Sequence, residues 1–246
     1  MSRRFPPSFF RFAFLFAVAL GTARAEPELV NIQTIEPSIV VELRYAGSRN
    51  CAGKPLYPPD LPAQARPEVA RRLAEAQTML RPLGYSLKIW DAYRPRNAHA
   101  QLWQFSPYVD YVADPASGGS LHTWGVAIDA TLVDRNGKEV KMPTDFDDFT
   151  PAASLYYKGP DPEVRKNLHT LQRAMGHAGF YGMRTEWWHF VSKDWKNYRA
   201  VWEPLFSGPT GRPMPTPQPT RPMAPPAVPR APGAGGMSAS GIVTHR

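Results

Sequence analysis

Two short segments of the sequence carry side chains that could bind a metal ion together. Residues 120–129 contain His122 and Asp129, and a second segment runs from Glu186 through two tryptophans to His189. Two imidazoles and one carboxylate form the ligand set of a catalytic Zn²⁺ that keeps its fourth position for water. A nearby glutamate that does not bind the metal could deprotonate that water. The sequence therefore predicts a zinc hydrolase.

Each of these residues, taken alone, has a simpler interpretation. A single histidine is more often a core or surface residue than a metal ligand. The segment that ends at His189 could also be an apolar strand that happens to contain polar residues. A third cluster, from Asp91 to Pro95, favours the functional interpretation. It follows a predicted strand, where functional groups tend to emerge.

The predicted secondary structure can bring these residues to one point. His122 and Asp129 are seven positions apart, and a tight turn at Gly125 followed by a strand over residues 124–133 would let both side chains converge. A second strand would supply His189. Helical periodicity and capping residues predict three helices. They run from Pro67 to a stop at Gly84, from near Pro95 through Trp103, and from Asp161 to Gly176. One more strand is predicted over residues 85–90.

These elements define the fold class. Antiparallel strands with helices gathered on one side fit an α+β domain better than a regular alternation of strands and helices. We therefore expect a single domain with a central, mainly antiparallel sheet, helices packed on it and the zinc site in a cleft.

The two ends of the 246-residue chain do not have the composition of a folded domain. Residues 1–25 combine early arginines with an apolar stretch and end in Ala-Arg-Ala, which is typical of a cleaved secretory signal. The alternative, an uncleaved membrane anchor, would need about 20 apolar residues, more than this stretch has. Residues 208–246 are rich in Pro, Gly, Ala, Ser and Thr, which predicts a disordered tail. We expect the folded domain over residues 26–207, in an exported, periplasmic protein without stable membrane insertion after cleavage.

The charge distribution follows the same division. Eight of the 29 Lys and Arg residues lie before residue 26 or after residue 207, and the remaining 21 equal the 21 Asp and Glu residues. The predicted domain therefore has no basic excess that would indicate a nucleic-acid partner. The single cysteine, Cys51, excludes an intramolecular disulfide and is expected to be a half-buried structural residue.

The three clusters resemble a known family of enzymes. Together with Leu43-Arg44-Tyr45-Ala46 and the stretch from Asn50 to Gly53, they are similar to the D-alanyl-D-alanine dipeptidases, the zinc metallopeptidases that include the vancomycin-resistance dipeptidase. The likeness covers most of residues 30–200, and its motifs occur in family order and at family-like spacing. It implies an α+β fold shared with related wall peptidases and hydrolysis of the peptide bond of D-alanyl-D-alanine, a small D,D-dipeptide substrate.

The resemblance also implies roles for individual residues. One zinc ion per chain would be bound by His122, Asp129 and His189. Glu186 would be the catalytic base, and Arg94 would stabilise the developing oxyanion. A structural salt bridge to Asp91 is the alternative for Arg94, and the two roles can coexist. Ser120 and Asp147 would hold the free ammonium end of the substrate, and Tyr45 would line the pocket.

Two features depart from the family pattern. Cys51 stands where an aromatic residue is expected after Asn50, which affects packing near the pocket mouth rather than the metal. Predicted export and the Pro-rich tail differ from the cytoplasmic resistance enzyme. Export favours an alternative, a related zinc D,D-carboxypeptidase or endopeptidase that acts on longer peptidoglycan peptides. A noncatalytic zinc-binding envelope protein is a further alternative, but such a protein has no need of the base Glu186.

Overall fold

The structure, a computed structural model, describes residues 28–105 and 111–201. The predicted signal sequence, residues 1–25, and the predicted Pro-rich tail, residues 208–246, lie outside these described residues. Within them, no helix has the length and the apolar character that a membrane crossing demands.

The described chain contains seven strands, four α-helices and several short 3₁₀ turns. In chain order the strands and helices are β1 (Val30–Asn31), α1 (Ile32–Ile35), β2 (Val40–Val41), β3 (Gln64–Ala65), α2 (Pro67–Leu80), β4 (Ser86–Asp91), α3 (Arg96–Phe105), β5 (Ala127–Val133), α4 (Pro162–His177), β6 (Phe180–Gly182) and β7 (His189–Ser192).

A five-stranded sheet forms the centre of the fold. Its strand order is β2-β4-β5-β7-β6, and every neighbouring pair is antiparallel except β2 and β4, which are parallel. Strands β1 and β3 form a separate antiparallel pair. Helices α2 and α4 contact each other, and both contact strands of the sheet. The predicted α+β fold with a mainly antiparallel sheet is confirmed.

The helix ends follow the predicted capping residues. Pro67 is the first residue of α2, and Gly84 ends the 3₁₀ turn behind that helix with a left-handed φ of 81°. The Asp161 side chain caps α4 by accepting hydrogen bonds from the backbone N–H groups of Glu163 and Val164. These local signals are sufficient to place both helices on the sequence.

The strand predicted over residues 124–133 begins later than expected. Leu121–Trp124 form a 3₁₀ turn, and β5 starts only at Ala127. Between them Gly125 has a left-handed φ of 71°, which ends the turn and redirects the chain, so Trp124 cannot belong to an extended strand. His122 therefore lies on this 3₁₀ turn, before the strand that contains Asp129.

A β-bulge interrupts the pairing of β4 and β5 beside the site. Ile89 pairs with Ala130, but Asp91 pairs with Asp129, so Trp90 is an extra residue on β4. A bulge bends the strand and turns the following side chain in a new direction. Here the side chain that follows is Asp91, which is completely buried.

Candidate active site

Three acidic or basic side chains lie in one row across the central strands. Asp129 of β5 pairs with Asp91 of β4 on one side and with His189 of β7 on the other. Directly paired residues of neighbouring strands point to the same face of a sheet. The next residues along, Ile128 and Phe190, form a pair that faces the opposite way and is buried in the core. The sheet register therefore brings Asp129 and His189 together.

The second histidine reaches this row from the 3₁₀ turn before β5. Ser120 Oγ accepts a hydrogen bond from the backbone N–H of His122 at 3.2 Å and so caps the turn. His122 Nδ1 lies 2.8 Å from the carbonyl oxygen of Ala92. When Nδ1 donates its proton to that carbonyl, Nε2 keeps a free lone pair that points at Asp129.

The three predicted ligands converge at metal-binding distances. His189 Nδ1 lies 2.9 Å from Asp129 Oδ1 and 3.2 Å from His122 Nε2. His122 Nε2 is 3.4 Å from the same Asp129 oxygen. A tetrahedral ion with bonds of about 2.0–2.1 Å needs donor atoms roughly 3.3 Å apart. The arrangement therefore fits one metal ion bound by two imidazoles and a carboxylate.

The electrostatics of the cluster favour a positive charge. Burial opposes the ionisation of Asp129, but His122 and His189 outweigh it and hold the pKa of Asp129 below its usual range. Burial lowers the pKa of His122, yet the Asp129 and Asp91 carboxylates outweigh this effect and raise it. A cation between these groups, either a proton or a metal ion, is therefore stabilised.

Glu186 lies beside the cluster without joining it. Its Oε2 is 3.9 Å from His189 Nδ1, and its Oε1 is buried with no hydrogen-bond partner among the described residues. Burial raises the pKa of Glu186 to about 7, although His189 opposes the rise. A carboxylate with an unpartnered oxygen and a pKa near neutrality can accept and release a proton during a reaction.

Arg94 enters the site from the loop that follows β4. Its Nε and Nη2 donate to Asp91 Oδ2 at 2.9 and 2.6 Å, and Nη2 is 3.8 Å from Asp129 Oδ2. Its guanidinium lies 4.8 Å from the centre of the Tyr45 ring. Arg94 forms the salt bridge to Asp91 and also lines the cavity. The salt bridge therefore does not exclude the predicted role of Arg94 in stabilising an oxyanion.

Asp147 occupies another part of the same cavity. Its Oδ1 accepts from the Tyr45 hydroxyl at 3.2 Å, and its Oδ2 accepts from the backbone N–H of Cys51 at 2.9 Å. Burial raises the pKa of Asp147 to about 6. The residue also has a left-handed φ of 57°, which non-glycine residues seldom adopt. This carboxylate makes no ion pair within the described part of the chain, so it offers a binding position for an incoming cation.

All eight predicted site residues border one cavity. Its volume is about 410 Å³, within the usual range of ligand pockets. Tyr45, Arg94, Ser120 and Asp147 line it together with the three predicted ligands and Glu186. The structure therefore brings together every side chain that the sequence proposed for the site. Its further wall residues include Leu102, Tyr111, Phe149, Tyr181 and Trp188.

Comparison with known proteins identifies the family to which this site belongs. The Peptidase_M15 family model, described as D-ala-D-ala dipeptidase, matches residues 25–203. The chain belongs to the Peptidase_M15 family. It is therefore a metallopeptidase and hydrolyses peptide bonds.

Three curated relatives have the same name, D-alanyl-D-alanine dipeptidase. The protein from Escherichia coli (strain K12) is 37% identical over 167 residues, which are 66% of this chain and 83% of the relative. The proteins from Enterococcus faecalis (strain ATCC 700802 / V583) and Enterococcus faecium are 29% and 28% identical. Those alignments cover 61% and 62% of this chain and 83% and 85% of the relatives.

Among the described residues, three further histidines lie outside the candidate metal-binding cluster. His169 and His177 are exposed on α4. His99 is structural, because it is buried on α3 and its Nε2 lies 2.9 Å from the carbonyl oxygen of Ala113 in the cavity wall. The predicted half-buried, free state of Cys51 is confirmed. Burial raises the pKa of its thiol to about 12, so the thiol stays protonated beside Asp147.

Besides the further wall residues of the cavity, the sequence pattern did not predict a tyrosine that lies behind the site. The Tyr57 hydroxyl donates to Asp91 Oδ1 at 2.6 Å. No motif marks Tyr57, which lies in an irregular segment between a 3₁₀ turn and β3. Only the folded structure places this hydroxyl behind Arg94.

Proposed function

We propose that the protein is a zinc-dependent D,D-dipeptidase that hydrolyses the peptide bond of D-alanyl-D-alanine. The convergence of three ligand atoms beside a buried, unpartnered Glu186 oxygen is the observation that carries the proposal. The names of the three relatives support the substrate.

One zinc ion would be held by His122, Asp129 and His189. When bound, zinc supplies a Lewis acid that polarises the scissile carbonyl and acidifies water. The protein prepares the ligands for this task. The Ala92 carbonyl fixes the tautomer of His122, and the sheet register fixes Asp129 opposite His189.

Glu186 is the proposed proton carrier. Its Oε1 would take a proton from the attacking water and then pass it to the leaving amine, a transfer that contributes on the order of 10²–10⁴-fold to the rate. The pKa of about 7 suits both steps, and a neighbouring dication would lower it toward the ionised form. Because Oε1 of Glu186 has no donor among the described residues, no hydrogen bond seen there must break first.

Arg94 is the proposed electrostatic stabiliser. A fixed cation in the cavity wall interacts more strongly with the negative oxygen of a tetrahedral transition state than with a neutral carbonyl. The double hydrogen bond to Asp91 holds the guanidinium in one orientation, so little reorganisation is needed during the reaction.

Asp147 and Ser120 are the proposed partners of the substrate's ammonium group, and Tyr45 lines the pocket around them. The ionised form of Asp147 is unfavourable in its half-buried position, as its raised pKa indicates. An incoming cation would stabilise this ionised form and offset the cost of ionisation. Such a site selects a substrate whose free amino end lies close to the scissile bond. This requirement favours a dipeptide over longer peptidoglycan peptides.

A paired assay with metal analysis tests the proposed function. Purified protein is incubated with D-alanyl-D-alanine and, separately, with a wall pentapeptide that ends in D-Ala-D-Ala. We expect about one zinc per chain and preferential cleavage of the dipeptide. Preferential cleavage of the pentapeptide would establish the carboxypeptidase alternative instead.

We also propose that the chain is exported to the periplasm after cleavage of residues 1–25. The support is the sequence pattern of those residues alone. Cell fractionation followed by N-terminal sequencing should give a periplasmic protein that begins at Glu26. Recovery of the uncleaved chain from the cytoplasm would refute this proposal.

A further inference from the structure

The carboxylate of Asp91 is the central hydrogen-bond acceptor behind the site. Its Oδ2 accepts both hydrogen bonds from Arg94. Its Oδ1 accepts from the Tyr57 hydroxyl at 2.6 Å and from the backbone N–H of Ala92 at 2.9 Å. Each oxygen therefore has its own donors. Because Tyr57 and Ala92 occupy Oδ1, the other oxygen is held toward the guanidinium.

Tyr57 is itself held firmly in place. The backbone N–H groups of Leu56 and Tyr57 both donate to the carbonyl oxygen of Tyr45, at 2.8 and 2.9 Å. The rings of Tyr45 and Tyr57 meet edge to face with centres 5.6 Å apart. The Tyr57 side chain is almost completely buried. Burial and the Asp91 carboxylate raise the pKa of Tyr57, so its hydroxyl keeps its proton and donates it.

These contacts form a chain that ends in the cavity. Tyr57 fixes Asp91, and Asp91 fixes Arg94, which lines the cavity. Tyr57 itself is not among the residues that border the cavity. The hydroxyl can act on a reaction through the carboxylate of Asp91, whereas the Tyr57 ring also contacts Tyr45, which lines the cavity.

We propose that Tyr57 is a positioning residue that fixes the orientation of Arg94 through Asp91 and thereby supports transition-state stabilisation. The inference rests on the role given to Arg94 in the proposed function. Without the hydroxyl, Asp91 Oδ1 would retain one donor, the N–H of Ala92, and the carboxylate could rotate. A small displacement of a group that stabilises the transition state lowers the rate, by up to about 10²-fold for roughly 1 Å.

The variant Tyr57→Phe tests the inference because it removes one oxygen and keeps the buried ring. We expect kcat for D-alanyl-D-alanine to fall by about 10- to 100-fold, with KM changed less than about twofold, because Arg94 acts on the transition state. Zinc content should remain at about one per chain. The matched control is Tyr85→Phe, which removes a half-buried hydroxyl 3.5 Å from Asn167 and should leave kcat unchanged.

A double-mutant cycle with Arg94→Lys distinguishes positioning from general structural support. If Tyr57 acts through Arg94, Tyr57→Phe should lower kcat by less than about twofold in the Arg94→Lys background, because the guanidinium that Tyr57 positions is absent there. All rates are divided by the folded fraction from circular dichroism, at a temperature at which every variant folds. Partial unfolding then cannot mimic a catalytic loss.

Each outcome of the cycle has one meaning. An equal fold loss in both backgrounds, or an unchanged kcat in Tyr57→Phe, would overturn the inference. Arg94→Lys alone reports on the proposed function, since wild-type activity in that variant would remove Arg94 from the mechanism. The single variant and the coupling therefore separate a failure of the proposed function from a failure of the Tyr57 inference.

Discussion

Replacement of Asp147 by Asn should weaken catalysis by removing the charge that would receive the substrate's ammonium. Asn is nearly the same size as Asp and also tolerates the left-handed φ of 57° found at this position. The amide oxygen can still accept a hydrogen bond from Tyr45 or from the Cys51 N–H. The substitution therefore changes the charge while the local backbone is preserved.

The expected loss follows from the surroundings of the carboxylate. Removal of one partner of a buried, hydrogen-bonded charge pair costs about 2–5 kcal/mol. Asp147 is only half-buried, so we take the lower part of this range, about 2–3 kcal/mol. At 1.4 kcal/mol for each factor of ten, kcat/KM for D-alanyl-D-alanine should fall about 30- to 150-fold.

A substrate without the ammonium group supplies the test. N-acetyl-D-alanyl-D-alanine should be a poor substrate of the wild-type protein, and Asp147→Asn should lower its kcat/KM by less than about threefold. The control Asp145→Asn changes an exposed carboxylate on the same loop, near Arg44 and Arg49, and should leave both substrates unaffected. The same fold loss for both substrates in Asp147→Asn would refute the ammonium assignment.

Three further measurements test other parts of the site. Glu186→Gln should retain about one zinc per chain and lose about 10²–10⁴-fold in kcat, and loss of the metal in this variant would place Glu186 among the ligands. The pKa of Asp147 in the folded protein, about 6, lies above its ordinary value of 3.8. The protonated carboxyl therefore contributes its full free energy of unfolding below pH 3.8, and this contribution is lost as the pH rises through 6. Urea titrations of the metal-free protein should therefore show Asp147→Asn gaining free energy of unfolding relative to the wild type between pH 4 and 8, by at most about 3 kcal/mol. A difference that does not change with pH would contradict the shift. His99→Leu should lower the free energy of unfolding by about 1–3 kcal/mol, because the Ala113 carbonyl loses its hydrogen-bond donor. His99→Gln can still donate, so the same titration should show a smaller decrease.

The helices were predictable because their signals are local. Pro67, Gly84, Asp161 and Pro162 act on the backbone within a few residues of their own positions. The strands β1, β2 and β3 have two residues each and exist only through partners that are distant in sequence. No periodicity can mark so short a strand, so the sequence pattern did not predict them.

The residues of the candidate site were predictable for a different reason. His122, Asp129, Glu186 and His189 have side chains whose chemistry is rare in combination, so their types limit the function before their positions are known. The features that hold these residues in place have no comparable signal in the sequence. The bulge at Trp90 depends on the register of β4 against β5, and the contact between Tyr57 and Asp91 joins residues 34 positions apart. Both require the folded chain.

The charges of the site explain how several ionisable groups can be buried together. Asp91 is balanced by Arg94 at 2.6 Å, so this pair adds no net charge. Asp129 and an ionised Glu186 would together neutralise a bound Zn²⁺, and Asp147 would be neutralised by the substrate's ammonium. The loaded site would then be close to neutral, whereas without the metal and the substrate three carboxylates compete for two histidines. Burial is the main cause of the raised pKa values of Glu186 and Asp147, and the neighbouring Asp129 carboxylate adds to both. Both pKa values should therefore fall when the metal and the substrate bind.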